Sequence, residues 1–171
     1  MTDAIYKMMK ALTIWQPWAS LLACGAKQFE TRGWATSYRG PIAIHAAAMN
    51  PFRAILAVED DAVDEAKKAL REAKILPEHG DFRYLPLGAV IATGELVGCH
   101  EIVLHGGRGI HSDDPGWLET DHGVYEPTDQ ELLLGDWTPG RFAWEIINIK
   151  MLPEPIPAKG KQGLWNWKEA S

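Results

Sequence analysis

The stretch Trp15–Arg32 holds the densest mixture of aromatic, basic and acidic side chains in the sequence. Within it, Lys27, Glu30 and Arg32 place an acid and two bases in six residues. A lysine beside other cations in a partly dry cleft has a lowered pKa and can act as a general base. Glu30 could orient water or accept a hydrogen bond from an exocyclic amine. The same three residue types also fit a structural Glu–Arg ion pair that closes a turn.

Three tryptophans near this cluster, Trp15, Trp18 and Trp34, could serve as stacking platforms for bases, each worth about 1–3 kcal/mol per base. Packing in the core is the alternative, because the chain has 8 tryptophans and most of them must be core residues or loop anchors. We expect one of the three to contact a ligand and Gln16 to lie beside it.

Two further groups could border the same cleft. His45 lies on a predicted strand, opposite to Ile42 and Ile44, so it could read a phosphate or a base; a hydrogen-bonded structural histidine is the alternative. Lys159 and Lys161 could approach from the C-terminal end and bind phosphate.

The sequence predicts no metal site and no cofactor. The histidines and aspartates of the second half follow no zinc-ligand spacing. The Gly-rich segment 106–109 lacks the spacing of a phosphate-binding loop and is interpreted as a hairpin tip. The histidines and aspartates considered are His100, His105, His111, His122, Asp113 and Asp121.

The formal charge of −6 is unevenly distributed along the 171 residues. Residues 1–53 carry a net +4, residues 54–136 a net −12 and residues 137–171 a net +2. If the two basic ends meet on one face, an acidic protein can still present a positive groove. The acidic segment is otherwise most simply a solvated outer face.

We expect an intracellular, cytoplasmic protein. No apolar run approaches the roughly 20 residues that a membrane-spanning helix needs. The N-terminus lacks the pattern of a secretory signal, and Cys24 and Cys99 are expected to be reduced. The oligomeric state stays open.

The elements that must position the cluster are a strand, a helix and a second strand. Residues 11–15 alternate as a strand does, and Pro17 suits the start of a helix that ends at Gly25. On a strand over residues 28–32, Phe29 and Thr31 face one side while Glu30 and Arg32 face the other. One face is then core and the other polar.

The rest of the chain alternates between strands and short helices. Glycines at positions 94 and 98 suggest bulges, and residues 104–140 form a long irregular segment. Short bending strands with a few helices favour an α+β fold built as a small mixed β-barrel. Strands are predicted over residues 41–47, 88–103 and 141–152 and around Trp165 and Trp167; helices over 52–58, from Asp60 or Asp61 to about residue 73, and around 129–134.

The segment Gly25–Arg32 matches the pattern G-x-K-x-x-E-x-R and resembles the ASCH domain family. The upstream residues 16–19, the strand over 88–101 and the segment 144–146 are also similar to that family. The resemblance implies a PUA-like fold, a small β-barrel with helices packed against it. It implies one domain over residues 1–171, with insertions at about 50–80 and 104–140.

The resemblance also implies work on RNA, either binding or the processing of modified nucleosides. One bacterial branch is an amidohydrolase of 4-acetylcytidine, and it uses a lysine of the pattern, a threonine three residues later and a distant glutamate. Here the lysine is Lys27, but the later position is Glu30. The resemblance also extends to members described as ribonucleases or nucleic-acid binders.

We therefore expect a module that binds RNA or a modified nucleoside in a polar cleft. A hydrolase that uses Lys27 and Glu30 as catalytic residues is the first alternative, and a protein-interaction adaptor is the second. The residues expected around the ligand are Trp15, Gln16, Trp18, Lys27, Glu30, Arg32 and His45.

Overall fold

A computed structural model describes residues 7–104, 117–120 and 123–169. The fold is α+β, as predicted. Its strands are β1 (Lys7–Ile14), β2 (Phe29–Arg32), β3 (Gly40–Ala46), β4 (Ala89–Val103), β5 (Trp117–Thr120), β6 (Gly123–Tyr125), β7 (Phe142–Pro157) and β8 (Leu164–Glu169). Its helices are α1 (Trp18–Ala23), α2 (Pro51–Ala54), α3 (Asp60–Glu72) and α4 (Asp129–Leu134), with a 3-10 turn at Phe82–Tyr84.

The strands form one mixed sheet in the order β2-β7-β4-β3-β1-β8, and β5 and β6 extend it from β4. β1 and β3 run parallel, while the other neighbours are antiparallel. Over the described residues β2 and β8 end the sheet and do not pair with each other. The predicted closure into a barrel is therefore wrong. Two long strands, β4 and β7, dominate the sheet, and bulges in their pairing bend it without closing it.

Most predicted elements are confirmed, including the helix that follows Pro17 and the short helix α4. Gly25, with φ of 80°, takes the left-handed conformation predicted for the end of α1. Glu59, rather than an aspartate, precedes the first turn of α3. β7 runs on to Pro157, past the end of the strand predicted over residues 141–152. The segment predicted to be irregular contains β5 and β6.

The sheet buries apolar side chains on both faces. Leu12, Ile42 and Ile44 pack against α1 on one face, whereas Ala11 and Ala43 alternate with them and pack on the other face, beside Trp165 and Trp167. This alternation follows from the two-residue period of a strand. The sheet therefore gives a rigid platform for side chains at the ends of β1 and β2.

Two helices complete the surroundings of these strand ends. α3 buries an apolar face that includes Ala62, Ala66 and Leu70. Ala66 and Leu70 pack in one cluster with Leu21 of α1. α4 contributes Leu134 to that cluster. No helix in the described ranges is both long enough and apolar enough to span a bilayer.

Candidate functional site

A cleft of about 830 Å³ lies where the ends of β1 and β2 meet α3 and α4. Trp15, Trp18 and the β2 residues form one side of it, and residues 54–62 and 132–136 form the other. These two segments lie in the regions, about 50–80 and 104–140, that were predicted to be insertions. That they are insertions stays a prediction. A volume of this size lies in the range of small-molecule and cofactor pockets, about 300–1,000 Å³.

Lys27, Glu30 and Arg32 all line this cleft. The Glu30 carboxylate lies between the two cations: its Oε1 is 3.0 Å from Nε of Arg32 and its Oε2 is 3.9 Å from Nζ of Lys27. The strand alternation explains this arrangement, because Phe29 faces the core cluster of β2 and Glu30 faces away from it. The predicted separation of Phe29 from Glu30 is confirmed, while Thr31, predicted on the side of Phe29, also lines the cleft.

Lys27 is almost completely enclosed, with 2% of its surface exposed. Its Nζ donates a hydrogen bond of 2.6 Å to the carbonyl oxygen of Leu134, at the C-terminal end of α4. Burial lowers the pKa of Lys27; the charges of Glu30 and Glu131 oppose that shift and Arg32 adds to it. The amine is thus shifted toward its neutral form, and α4 shields it from solvent.

Two arginines line the outer part of the cleft, and both have protein partners. Arg32 donates from Nη2 to the carbonyl oxygen of Thr13 at 2.9 Å. Nε of Arg141 lies 3.1 Å from Oδ2 of Asp136, and Nη2 donates to the carbonyl oxygen of Thr31. These contacts fix the guanidinium groups at the cleft wall, where hydrogen-bond donors can meet a ligand.

Glu131 is a buried acid that the sequence reasoning missed. Its side chain, on α4, accepts a hydrogen bond from the backbone N–H of Gln28, next to Lys27. Its other oxygen, Oε2, is buried and has no hydrogen-bond partner among the described residues. Burial is the main cause of its raised pKa, which the hydrogen bond from Gln28 and the charge of Lys27 partly offset.

The pattern Thr128-x-x-Glu131 was the available signal for this acid, since it has the form of a helix capping box. Thr128 does cap α4, because its hydroxyl accepts from the N–H of Glu131. The Glu131 side chain does not accept from the backbone N–H of Thr128, as a capping box would have it. It accepts instead from the backbone N–H of Gln28, the residue before β2. No sequence rule predicts that long-range contact.

A Glu131→Gln variant is expected to change the pH dependence of stability. Because the native pKa lies above the ordinary 4.5, the native state binds more protons than the unfolded state between 4.5 and that raised value. Its stability therefore falls as pH rises through this window. The variant lacks that fall, so its stability relative to the original protein should increase from pH 4.5 upward and then level off. Urea denaturation of both proteins across pH measures the difference; a pH-independent difference would contradict it.

The tryptophans separate into two groups. Trp15 is 48% exposed and Trp18 is half-buried, and both line the cleft. Trp34 is 38% exposed, but its ring packs edge-on against buried Trp144 and does not line the cleft. The structure thus leaves Trp15 with the most exposed aromatic face at the cleft.

Two of the predicted cleft residues lie elsewhere. Gln16 is completely buried and caps α1, since its Oε1 accepts from the N–H of Ser20 and its Nε2 donates to Ser20 and to the carbonyl oxygen of Pro86. His45 faces the sheet side opposite to Ile44, as predicted, but this side is packed against the ring of Trp165. The expectation that these two side chains line the cleft is corrected.

No group of three or more potential metal ligands comes together in the described ranges 7–104, 117–120 and 123–169. Of the candidates considered from the sequence, His100 pairs with Glu145 at 3.0 Å. His105, His111, His122, Asp113 and Asp121 lie outside the described residues, as does the predicted hairpin tip at 106–109. The expected absence of a metal stays a prediction.

Comparison with known proteins identifies the family to which this chain belongs. The sequence model of the ASCH domain matches residues 12–105, more than half of the chain, and includes Lys27, Glu30 and Arg32. Activating signal cointegrator 1 of Homo sapiens is 32% identical over 88 residues, which are 52% of this chain and 14% of that protein. The wall of the cleft formed by α4 lies beyond the matched range.

The family and the α+β architecture predicted from the sequence agree with these findings, while the sheet stays open where a barrel was expected. With the match extending from β1 through β4, this chain belongs to the ASCH domain family and has its PUA-like fold.

Proposed function

We propose that the protein binds RNA or a modified nucleoside, with one base held in the cleft beside Trp15. The observation that carries this proposal is an open cleft of about 830 Å³ that joins an exposed tryptophan to a fixed acid and two fixed guanidinium groups. Membership of the ASCH family supports the ligand class.

The aromatic side of the cleft suits a base. Trp15 follows the last residue of β1, so the sheet fixes its backbone, and about half of its surface is exposed. Every base has a π face, so stacking on such a ring gives affinity without depending strongly on sequence.

The polar floor suits the edge of a base. The Glu30 carboxylate can accept a hydrogen bond from an exocyclic amine, and Arg32 and Arg141 can donate to a carbonyl oxygen. Because Glu30 is held between Lys27 and Arg32, it can keep its position when a ligand binds. A fixed acceptor beside fixed donors favours recognition of the base edge.

Replacing Trp15 by alanine tests the proposal. The expected result is a loss of affinity by about 5- to 150-fold, the equivalent of one lost base stack of about 1–3 kcal/mol. Fluorescence anisotropy with labelled oligoribonucleotides, and calorimetry with cytidine, 4-acetylcytidine, uridine, adenosine and guanosine, measure it. Trp34→Ala is the matched control, because Trp34 is also exposed but lies outside the cleft.

Equal affinity in the Trp15→Ala and Trp34→Ala proteins would contradict the placement of the base. Absence of binding by the unmodified protein to every RNA and nucleoside would contradict the function itself. That second outcome would favour the adaptor hypothesis, with the acidic face of α3 as a contact surface.

A hydrolase is the second candidate, and the lowered pKa of Lys27 is the observation that favours it. Against it, the lysine is 2% exposed and its Nζ already donates to Leu134. Chromatography of the 4-acetylcytidine incubations distinguishes the two candidates, because a hydrolase would release cytidine and a binding module would leave the nucleoside intact.

A further inference from the structure

The cleft offers a poor place for phosphate. Among its described lining residues are three basic and four acidic side chains. Each cation already has an anion beside it: Glu30 lies near Lys27 and Arg32, and Asp136 lies near Arg141. The remaining acids, Glu59 and Asp61, are exposed at the start of α3. A phosphate in the cleft would therefore meet four carboxylates and no unpaired cation among these residues.

The connection between β7 and β8 has the opposite character. It contains Lys159 and Lys161, which are both exposed and have no ion-pair or hydrogen-bond partner among the described residues. Two unpaired ammonium groups separated by one glycine form a small basic surface, which we call the basic loop (residues 158–162). Contacts between lysine ammonium groups and backbone phosphates supply much of the affinity with which proteins bind nucleic acids.

The basic loop is held in place by buried contacts. Nε2 of His45, whose side chain is 1% exposed, makes a hydrogen bond of 2.9 Å with the carbonyl oxygen of Ala158. The N–H of Ala158 donates to the carbonyl oxygen of Gly88. Gly160 lies so close to the His45 ring that a Cβ there would be 2.5 Å from Cε1. The loop backbone therefore has little freedom on its inner side.

Thr13 connects the basic loop to the cleft. Its carbonyl oxygen accepts the hydrogen bond from Arg32, and Thr13 itself lines the cleft. Its hydroxyl accepts from Nε1 of Trp165 and would lie 2.9 Å from a Cβ on Gly160. One residue thus separates the loop from the cleft, and Trp15 lies two positions further along the chain.

We propose that the basic loop holds the phosphates of a single-stranded RNA while one base of that strand enters the cleft. This inference rests on the proposed function and makes it more specific, because it names single-stranded RNA, rather than a free nucleotide, as the ligand. The paired charges and extra acids of the cleft keep phosphate outside, and the unpaired cations of the basic loop receive it. His45 positions the loop without contacting the ligand.

The double variant Lys159→Ala/Lys161→Ala tests the proposal. For a single strand, losing two phosphate contacts should reduce the slope of log affinity against log salt by about 1.4, which is roughly 25-fold in affinity at about 0.1 M salt. Anisotropy with a short labelled oligocytidylate, measured over a salt series, gives both quantities. Binding of cytidine itself should be unchanged, because it carries no phosphate.

Two further proteins complete the design. Lys68→Ala/Lys150→Ala removes the same charge from exposed positions on α3 and β7, and it should keep the original salt slope. Gly160→Ala keeps the charge but forces the loop away from His45, and it should weaken oligocytidylate binding while cytidine binding stays the same.

An oligocytidylate affinity and salt slope equal to those of the Lys68/Lys150 control would overturn the inference and leave the proposed function standing. A parallel loss of cytidine binding in the loop variant would also overturn it, since the loop would then act on the base site. If the unmodified protein bound neither oligocytidylate nor any nucleoside, the proposed function would fail as well.

Discussion

Replacing Glu30 by alanine is expected to lower the free energy of unfolding by about 3–5 kcal/mol. Glu30 is 6% exposed and Lys27 is 2% exposed, so the substitution removes from a buried amine the carboxylate that lies 3.9 Å from it and leaves only the weaker effect of Glu131. A buried charge that loses its partner costs more than the pair contributed. Arg32 adds less to this cost, because a quarter of its side chain is exposed and it keeps its bond to Thr13.

Chemical denaturation of four proteins measures the effect. The double variant Lys27→Met/Glu30→Gln should regain most of the loss, because replacing a buried ion pair with neutral residues is often neutral or stabilising. Glu59→Ala removes an exposed carboxylate from the same cleft and should change stability by less than about 0.5 kcal/mol. A loss below about 1 kcal/mol for Glu30→Ala would show that the Lys27 amine does not depend on Glu30 for charge compensation, contrary to this prediction.

The sequence predicted the local part of this site because strand geometry determines it. Once residues 28–32 form a strand, Phe29 and Glu30 must face opposite sides, and the apolar ring of Phe29 favours the core. The direction of Lys27 could not be predicted, because it lies in the turn before the strand. Its hydrogen-bond partner, Leu134, is 107 positions away along the chain. Contacts over such separations depend on how α4 packs, and local periodicity contains no information about that.

The two misplaced residues show a related limit. Gln16 was grouped with the tryptophans because it is adjacent to them in sequence, yet it caps α1 from inside the protein. His45 was assigned to a free polar face because it opposes Ile42 and Ile44. Both faces of the sheet are buried, so the opposite face is a second core. Alternation predicts which residues share a face, but it does not predict what covers that face.

The cleft combines the strand platform and the start of α3, both within the family match, with a wall formed by α4 outside it. The described part of the α4 wall contacts the platform through polar groups at three points: Glu131 on Gln28, Leu134 on Lys27 and Asp136 on Thr31. A further contact is apolar: Trp137, just after α4, packs edge-on against Phe29 of β2. The volume of the cleft and the burial of Lys27 therefore depend on how stably α4 is docked.

Replacing Trp137 by alanine is expected to cost about 3–5 kcal/mol, the range for deleting a large buried aromatic side chain. Trp137 is 4% exposed and belongs to the cluster of Phe29, Ile102 and Leu118. Its Nε1 also donates to the carbonyl oxygen of Glu131, so the same substitution removes a buried contact of α4. Part of the loss should appear as local opening of residues 128–137, because this segment then loses its largest apolar contact with β2.

Hydrogen exchange at the amide of Gln28 is the most direct measurement, because that amide is protected by Glu131 across the contact. Trp137→Ala should accelerate its exchange, while Leu133→Ala, on the exposed side of the same helix, should leave it unchanged. Trp137→Phe keeps most of the packing and loses one hydrogen bond, so its cost should be about 1 kcal/mol. If Gln28 exchanges at the same rate in the Trp137→Ala and Leu133→Ala proteins, the other contacts of α4 are enough to hold it, and the enclosure of Lys27 does not depend on this tryptophan.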